Sequence, residues 1–299
     1  MIKFENTEVV GWEAAIRGMR NPMNSWEKSD SNCLDCPCYG TEEEINGTCH
    51  EKIQIGPNDH DLMMKLAKAG TDHRKFMRMI VVYVDITAPL YFFKELDTYK
   101  VGTVANSCST MHKIAEKEFT LEDFSCEHLD TGFKDSPVHL DEDACISTDT
   151  GDLYMDYDIR SKDLLEMAIK LLNVHRKKFI ETKNKDYWWQ MIQLLPSSYN
   201  QKRTVMLNYE VLANIYKSRK NHKLDEWKEH EPNIITDLKI TGASLMPDGS
   251  VGIEGSVKDM KKEFFGFCDW IKTLPYSELI TGCDVRENRN GEDKEKPND

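Results

Sequence analysis

The sequence predicts an α+β fold, and three observations carry that prediction. Met79 to Ile86, reading MIVVYVDI, is a short, β-branched, apolar run of the kind found in well-buried strands. Ser161 to Thr182 places apolar residues at three- and four-residue steps, which marks a one-sided helix. Pro247-Asp248-Gly249 stands between two alternating segments, a β-hairpin signal.

In chain order, residues 2–20 read as a short strand holding Ile2 and Phe4, then a helix with Val9, Val10, Trp12, Ala15 and Ile16 on its apolar side. Residues 21–58 are polar and rich in Asn, Gly and Pro, and read as a long loop or inserted element. Asp59 to Met79 reads as helix, with Leu62, Met63, Leu66, Ala67, Phe76 and Met77 apolar and Gly70 a break. After the MIVVYVDI strand, Pro89 fits the first turn of another helix, whose Leu90, Phe93 and Leu96 face inward. Thr120 to Tyr157 is acidic and turn-rich; without EF-hand spacing it reads as a solvated loop. The helix Ser161 to Thr182 has Ser161 as its N-cap, with Leu164, Leu165, Ala168, Ile169, Leu172 and His175 on one face. Asn184 caps a second helix to Leu195, in which Trp188 and Trp189 add buried area.

The organising stretch is Gln190 to His222. Its apolar run Met191 to Leu195 stops at Pro196, and Ser197, Ser198 and Asn200 form a polar turn. A helix follows, with Val205, Tyr209, Leu212 and Tyr216 on one buried face and Asn208, Asn214 and Arg219 along it or at its end. Leu224 and Trp227 continue a helix. Glu229 to Met260 looks inserted and holds the hairpin. Helix resumes near Lys258, with Phe264, Phe265, Phe267, Cys268, Trp270 and Ile271, and the charged tail 286–299 reads as disordered.

With 299 residues, 39% of them hydrophobic, the chain has enough material for a sizeable core. A net charge of −13 disfavours a nucleic-acid polymer as partner, because that affinity comes mostly from cations on phosphate. A local basic pocket for one small phosphate is compatible with that charge. No run approaches the roughly 20 apolar residues of a membrane span, and no signal-peptide core opens the sequence. Nine cysteines without a secretory signal favour reduced thiols and a cytoplasmic setting. Five candidate ligands, Cys33, Cys36, Cys38, Cys49 and His50, fall within one polar stretch. They could present four ligands to a structural zinc, although a second CxxC is missing; the alternative is a loop with free thiols. The sequence holds no P-loop, GxGxxG, GxSxG or HExxH.

Leu195-Pro196, Asn208, Asn214 and Arg219 have a spacing that resembles the C-terminal half of the flavin-dependent thymidylate synthases. Further upstream, His73 matches a family His on the helix before the strand. Lys94 to His112 occupies the place of the family signature R-H-R-x-x-S-x-N-E-x-S-x-R-Y, where Asn106 and Ser109 match. The similarity covers roughly Gln54–Lys117 and Asp163–Leu279. It implies a mixed or antiparallel sheet flanked by helices, in one domain over about residues 1–285 with insertions at about 21–58, 120–160 and 229–260. It also implies reductive methylation of deoxyuridylate by a homotetramer, with FAD as cofactor and methylenetetrahydrofolate and NADPH as co-substrates. By this resemblance His73, Lys100, Asn106, Asn208, Asn214 and His222 hold the flavin, and Glu95, Ser107, Ser109 and Arg219 hold the nucleotide.

The departures concern anion binding. The R-H-R triplet becomes roughly Thr98-Tyr99-Lys100, and a family Arg before the Leu-Pro becomes Ile192. Neither Thr nor Ile offers a guanidinium fork to phosphate, and Lys100 supplies charge without the fork. Glu95 stands where the family has a nucleotide-contacting Gln. A carboxylate there repels a phosphate or a uracil carbonyl unless it is paired, but accepts from an amino group such as that of a cytosine-type base. The alternative function is therefore a divergent nucleotide- or flavin-binding protein that does not transfer methyl groups.

Overall fold

The computed structural model describes residues 2–33, 53–129, 138–139, 158–230, 242–245, 251–254 and 264–282. Its strands in chain order are β1 (Lys3–Val10), β2 (Asn32–Cys33), β3 (Ile53–Gln54), β4 (Val81–Pro89), β5 (Val104–Ser107), β6 (Val138–His139), β7 (Asp158–Ile159), β8 (Asn200–Asn208), β9 (Gly242–Leu245) and β10 (Val251–Glu254). Its helices are α1 (Trp12–Arg20), α2 (Pro57–Lys68), α3 (Leu90–Leu96), α4 (Ser161–Thr182), α5 (Lys185–Leu194), α6 (Tyr209–Arg219), α7 (Phe267–Lys272) and α8 (Glu278–Thr281). The main sheet has the order β1-β4-β8-β5, and every pairing among the described residues is antiparallel. The α+β expectation, an antiparallel sheet flanked by helices, therefore holds.

Alternation in β4 decides which side the helices cover. Val82, Val84, Ile86 and Ala88 are buried, and Val205 and Leu207 of β8 join them on that face. Trp12, Ile16, Met63, Phe92, Phe93, Leu212, Ile215, Trp227, Phe267 and Leu279 pack with them in one core. Phe4 of β1 stacks on Trp270 of α7 at 5.1 Å, and the Trp270 indole donates to Thr7 Oγ1 at 3.2 Å. The other face of the sheet stays open. There Val10 is 44% exposed, Tyr83 41% and Val104 61%.

A second core lies under α4 and α5, where Leu165, Ile169, Leu172 and Met191 meet Ile114, Phe119 and Phe124. Asn173 ties this layer by accepting from the Phe119 amide and donating to its carbonyl, at 2.9 and 2.8 Å. Asn184 caps α5 as expected, its Oδ1 accepting from the Asp186 amide at 3.0 Å.

A buried ion pair fixes the entry to α2. Arg20 Nε donates to Asp59 Oδ1 at 2.6 Å, and neither side chain reaches solvent to any extent. Asp59 Oδ2 also accepts from Ser29 Oγ, Ser31 Oγ and the Asp30 and Ser31 amides. The other guanidinium nitrogens donate to the Ser25 and Lys28 carbonyls. One carboxylate thus gathers α1, α2 and the segment between them.

Several expectations are corrected. Val9 and Val10 belong to β1, because the chain turns at Gly11 (φ +93°), where an added Cβ would meet the Met79 carbonyl oxygen at 2.1 Å. Residues 200–208 form the strand β8 rather than the start of a helix. Their Val205 and Leu207 alternate toward the core, and nine register pairs with β4 outweigh the helical spacing. The helix expected from Asp59 to Met79 ends at Lys68, past which Gly70 takes φ +107°, and a separate 3₁₀ turn spans Lys75–Arg78. Arg160 precedes α4 as the cap, with Asp163 Oδ2 accepting from its amide, so Ser161 is the first helical residue. Leu164 and Trp189 are exposed, since the second core takes only the other face of α4 and the Met191 side of α5. Trp227 is fully buried in a turn, not on a continuing helix, and the later helix begins at Phe267. The β9–β10 hairpin forms as expected.

The cysteine cluster lies outside the described residues at Cys36, Cys38, Cys49 and His50, and for Cys33 only the backbone is described. Among the described residues, no group of three or more His, Cys, Asp or Glu stands ready to hold a metal ion, and no helix is long and apolar enough to cross a membrane.

Candidate functional site

The site grows from the end of β8. Asn208 has extended backbone angles there, and its Oδ1 accepts from the Val211 amide at 2.9 Å, which starts α6. α6 is buried along Tyr209, Val211, Leu212, Ala213, Ile215 and Tyr216, and Asn214 is left exposed. Arg219, in the last turn, reaches the C-terminal end of α3, where the helix dipole favours a cation.

Arg219 is enclosed there. Its Nη2 pairs with Glu95 Oε2 at 2.6 Å, and its Nε donates to the Tyr99 hydroxyl at 3.0 Å. The guanidinium carbon lies 5.3 Å from the centroid of Trp227 and 5.8 Å from that of Tyr99. His222 is close by: its Nδ1 accepts from the Leu224 amide at 3.2 Å. Burial, then the charge of Arg219, hold its pKa below the ordinary value, with Glu95 and Glu226 pulling the other way. The imidazole is therefore neutral at pH 7 and carries its proton at Nε2. Beneath, the Tyr91 hydroxyl donates to buried Glu226, and burial together with that carboxylate pushes the tyrosine pKa up, so the hydroxyl keeps its proton.

A second group forms around Arg74, the residue after His73. Arg74 Nη2 donates to Asn214 Oδ1 at 3.2 Å, and its Nε lies 2.8 Å from Glu210 Oε2. That last contact has ion-pair distance without hydrogen-bond alignment. Exposed His73 is thereby fixed in sequence next to a residue that touches Asn214. Lys100 is exposed on the turn that ends at Gly102 (φ +77°), and this turn lies on the start of α6. A Cβ at Gly102 would stand 2.6 Å from Asn208 Nδ2 and 3.3 Å from Val211 Cγ2. Gly102→Ala is expected to lower stability by about 1–3 kcal/mol, from the left-handed backbone and the displaced cap together. Urea denaturation reads this directly, and an unchanged midpoint would show that the turn is not held against the cap.

The structure thus brings Glu95, Arg219 and His222 together, sets Arg74, the chain neighbour of His73, on Asn214, and lays the Lys100 turn near Asn208. It does not bring Asn106 to them. Asn106 pairs in register with Thr204, which places it on the open face of the sheet. Ser107, opposite Arg203, lies on the helix-covered side but is exposed, and Ser109 Oγ accepts from the His112 amide at 2.9 Å to close a turn. Thr98 Oγ1 donates to the Glu95 carbonyl, and Ile192 packs in the second core, so neither presents an anion-binding group.

Sequence reasoning missed Tyr99 and Trp227 as the aromatic walls of Arg219, and Arg74 as the link to Asn214. It also missed Arg203, whose alternation with Val205 and Leu207 was the available signal.

No protein-family model matches the sequence, and no curated protein matches it. Solved structures with similar chain traces include two of thymidylate synthase X from Helicobacter pylori, both with FAD and dUMP. Each is 14% identical and matches over 74% of this chain, with 84% and 85% of its own length covered and TM-scores of 0.43 and 0.44. A UMP/dUMP methylase, PolB from Streptomyces cacaoi bound with 5-Br dUMP, is 13% identical over 78% of this chain and 83% of its own, with a TM-score of 0.40.

Proposed function

We propose that this protein binds a nucleoside monophosphate beside Arg219. The enclosure of that guanidinium carries the reading. Arg219 packs over the corner where the Tyr99 and Trp227 rings adjoin, and Glu95 and the Tyr99 hydroxyl hold its nitrogens, so its fork is positioned before any ligand binds and little side-chain entropy is lost on recognition. Glu95 occupies the fork in this structure and is the group a ligand must displace or share. Neutral His222 offers a proton donor at the rim. Calorimetric titration with deoxyuridylate and deoxycytidylate tests this; no heat from either would reject it.

A second reading goes further: FAD-dependent reductive methylation of deoxyuridylate in the cytoplasm, with methylenetetrahydrofolate and NADPH as co-substrates. The contact of Arg74, which follows His73 in the chain, with Asn214 favours it. The residues fit a flavin, because exposed Asn214 spends its carbonyl on Arg74 and among the described residues keeps its amide protons for a ring carbonyl. Asn208 and His222 would complete the ring contacts, and Lys100 would supply charge toward the phosphates. When bound, the flavin would supply the hydride chemistry, and the protein positioning and electrostatics. The open, partly apolar sheet face suits a homo-oligomer such as a tetramer, which would cover it. Absorbance after incubation with FAD and desalting is expected to show bands near about 375 and 450 nm. A colourless protein would leave nucleotide binding without flavin chemistry.

A further inference from the structure

Arg203 is a guanidinium that the nucleotide reading leaves unused. Its carbon lies 4.0 Å from the centroid of Phe93, a buried residue of α3. Nε donates to Gln201 Oε1 at 2.9 Å, and Gln201 is itself buried and held by its donation to the Cys108 carbonyl at 2.7 Å. The inner edge of the guanidinium is therefore fixed by buried groups. Its outer edge differs. Nη1 donates to Asp97 Oδ1 at 2.8 Å, and the Asp97 side chain is 55% exposed while that of Arg203 is 15% exposed. Among the described residues no hydrogen bond falls on Nη2. Ser107 stands directly opposite Arg203 in the β5–β8 register, so the two side chains share a face with Cβ atoms about 5 Å apart.

We propose that Arg203 and Ser107 form the seat of a phosphate monoester, and that Asp97 holds this seat as a competing carboxylate until the ligand enters. The exchange favours the ligand. An exposed ion pair contributes little, because water and salt screen it and ordering the side chain costs entropy. A phosphate dianion offers a bidentate, charge-assisted match to a fork that Phe93 and Gln201 already hold in place. Ser107 Oγ adds a hydroxyl donor on the same side. The inference rests on the nucleotide reading for the rest of the ligand, but not for the anion itself.

The test titrates the full chain with inorganic phosphate, deoxyuridylate and deoxyuridine, using the wild type, Asp97→Asn, Arg203→Lys and Arg203→Gln, each first checked for cooperative unfolding. Asp97→Asn is expected to tighten phosphate and deoxyuridylate about five- to tenfold and to leave deoxyuridine unchanged. Arg203→Lys should lose about tenfold for the phosphate-bearing ligands, and Arg203→Gln should lose their advantage altogether. Should Arg203→Gln fail to fold, Asp97→Asn alone decides, since an unchanged phosphate affinity there overturns the seat. Deoxyuridylate binding that ignores both residues overturns the seat and leaves the nucleotide reading standing. Phosphate binding that follows both residues, with no preference for the nucleotide over phosphate, keeps the seat and overturns that reading. No binding of any ligand overturns both.

Discussion

Asp59→Ala is expected to lower the unfolding free energy by about 3–5 kcal/mol, because it strands a buried guanidinium. Arg20 has no solvent to fall back on, and four hydrogen-bond donors besides its Nε converge on the same carboxylate. The pH dependence follows from the same contacts. Burial alone would raise the Asp59 pKa, but hydrogen bonds from Ser31, Ser29 and Arg20, with the Arg20 charge, hold it below its ordinary 3.8. A carboxylate with a depressed folded pKa stabilises above its unfolded pKa and loses that stabilisation as pH falls through the folded value. The gap between wild type and Asp59→Asn in urea midpoints should therefore be full at pH 7 and shrink below about pH 4. A gap that is constant down to pH 2 would show that Asp59 acts through shape and not charge.

Arg219→Ala is expected to weaken nucleoside monophosphate binding by about 30-fold or more, equivalent to at least about 2 kcal/mol for the loss of a desolvated charged partner. Its complement is Glu95→Gln. If Glu95 accepts from an amino group on the base, the wild type prefers deoxycytidylate and the glutamine variant shifts toward deoxyuridylate, since an amide can donate to a carbonyl. If Glu95 only neutralises Arg219, the variant gains affinity for both nucleotides alike. Titration of the four combinations separates the two. Arg219→Ala with unchanged affinity would move the site elsewhere.

The sequence was readable where one periodicity dominated. β4 and α4 came out near their observed positions because β-branched residues fill the first and a three- to four-residue apolar step runs through the second. Where two periodicities overlap, the reading failed. Val205, Tyr209, Leu212 and Tyr216 sit at helical steps, yet Val205 belongs to a strand whose nine pairs with β4 lie more than a hundred residues away in sequence. That misplacement hid Arg203, since an arginine on a helix end and an arginine beside Ser107 on a sheet have different neighbours. Arg219 and Asn214 were found through the resemblance of their spacing to a family pattern, and both lie on one helix, where spacing along the chain survives folding. Glu95 came with them through the same resemblance, but Tyr99, Trp227 and Arg74 did not, because the first two meet Arg219 only when the turns after α3 and α6 close on it. Leu164 was placed inside because periodicity marks a face without saying whether anything covers it.

The strand order has a consequence for how the chain is made. No two neighbours in β1-β4-β8-β5 are joined by a hairpin; Lys3 pairs with Thr87, and Val81 with Asn208. Until Asn208 has left the ribosome, β4 can pair on one side only, and Val82 and Val84 lack their in-sheet neighbours Leu207 and Val205. At ordinary elongation rates that interval is on the order of ten seconds. Closure entropy must be met before any contact rewards it, so the sheet assembles late and slowly. For that interval the nascent chain presents a paired β1–β4 ribbon with one sticky edge, a substrate for chaperones and a seed for aggregation when synthesis outruns them.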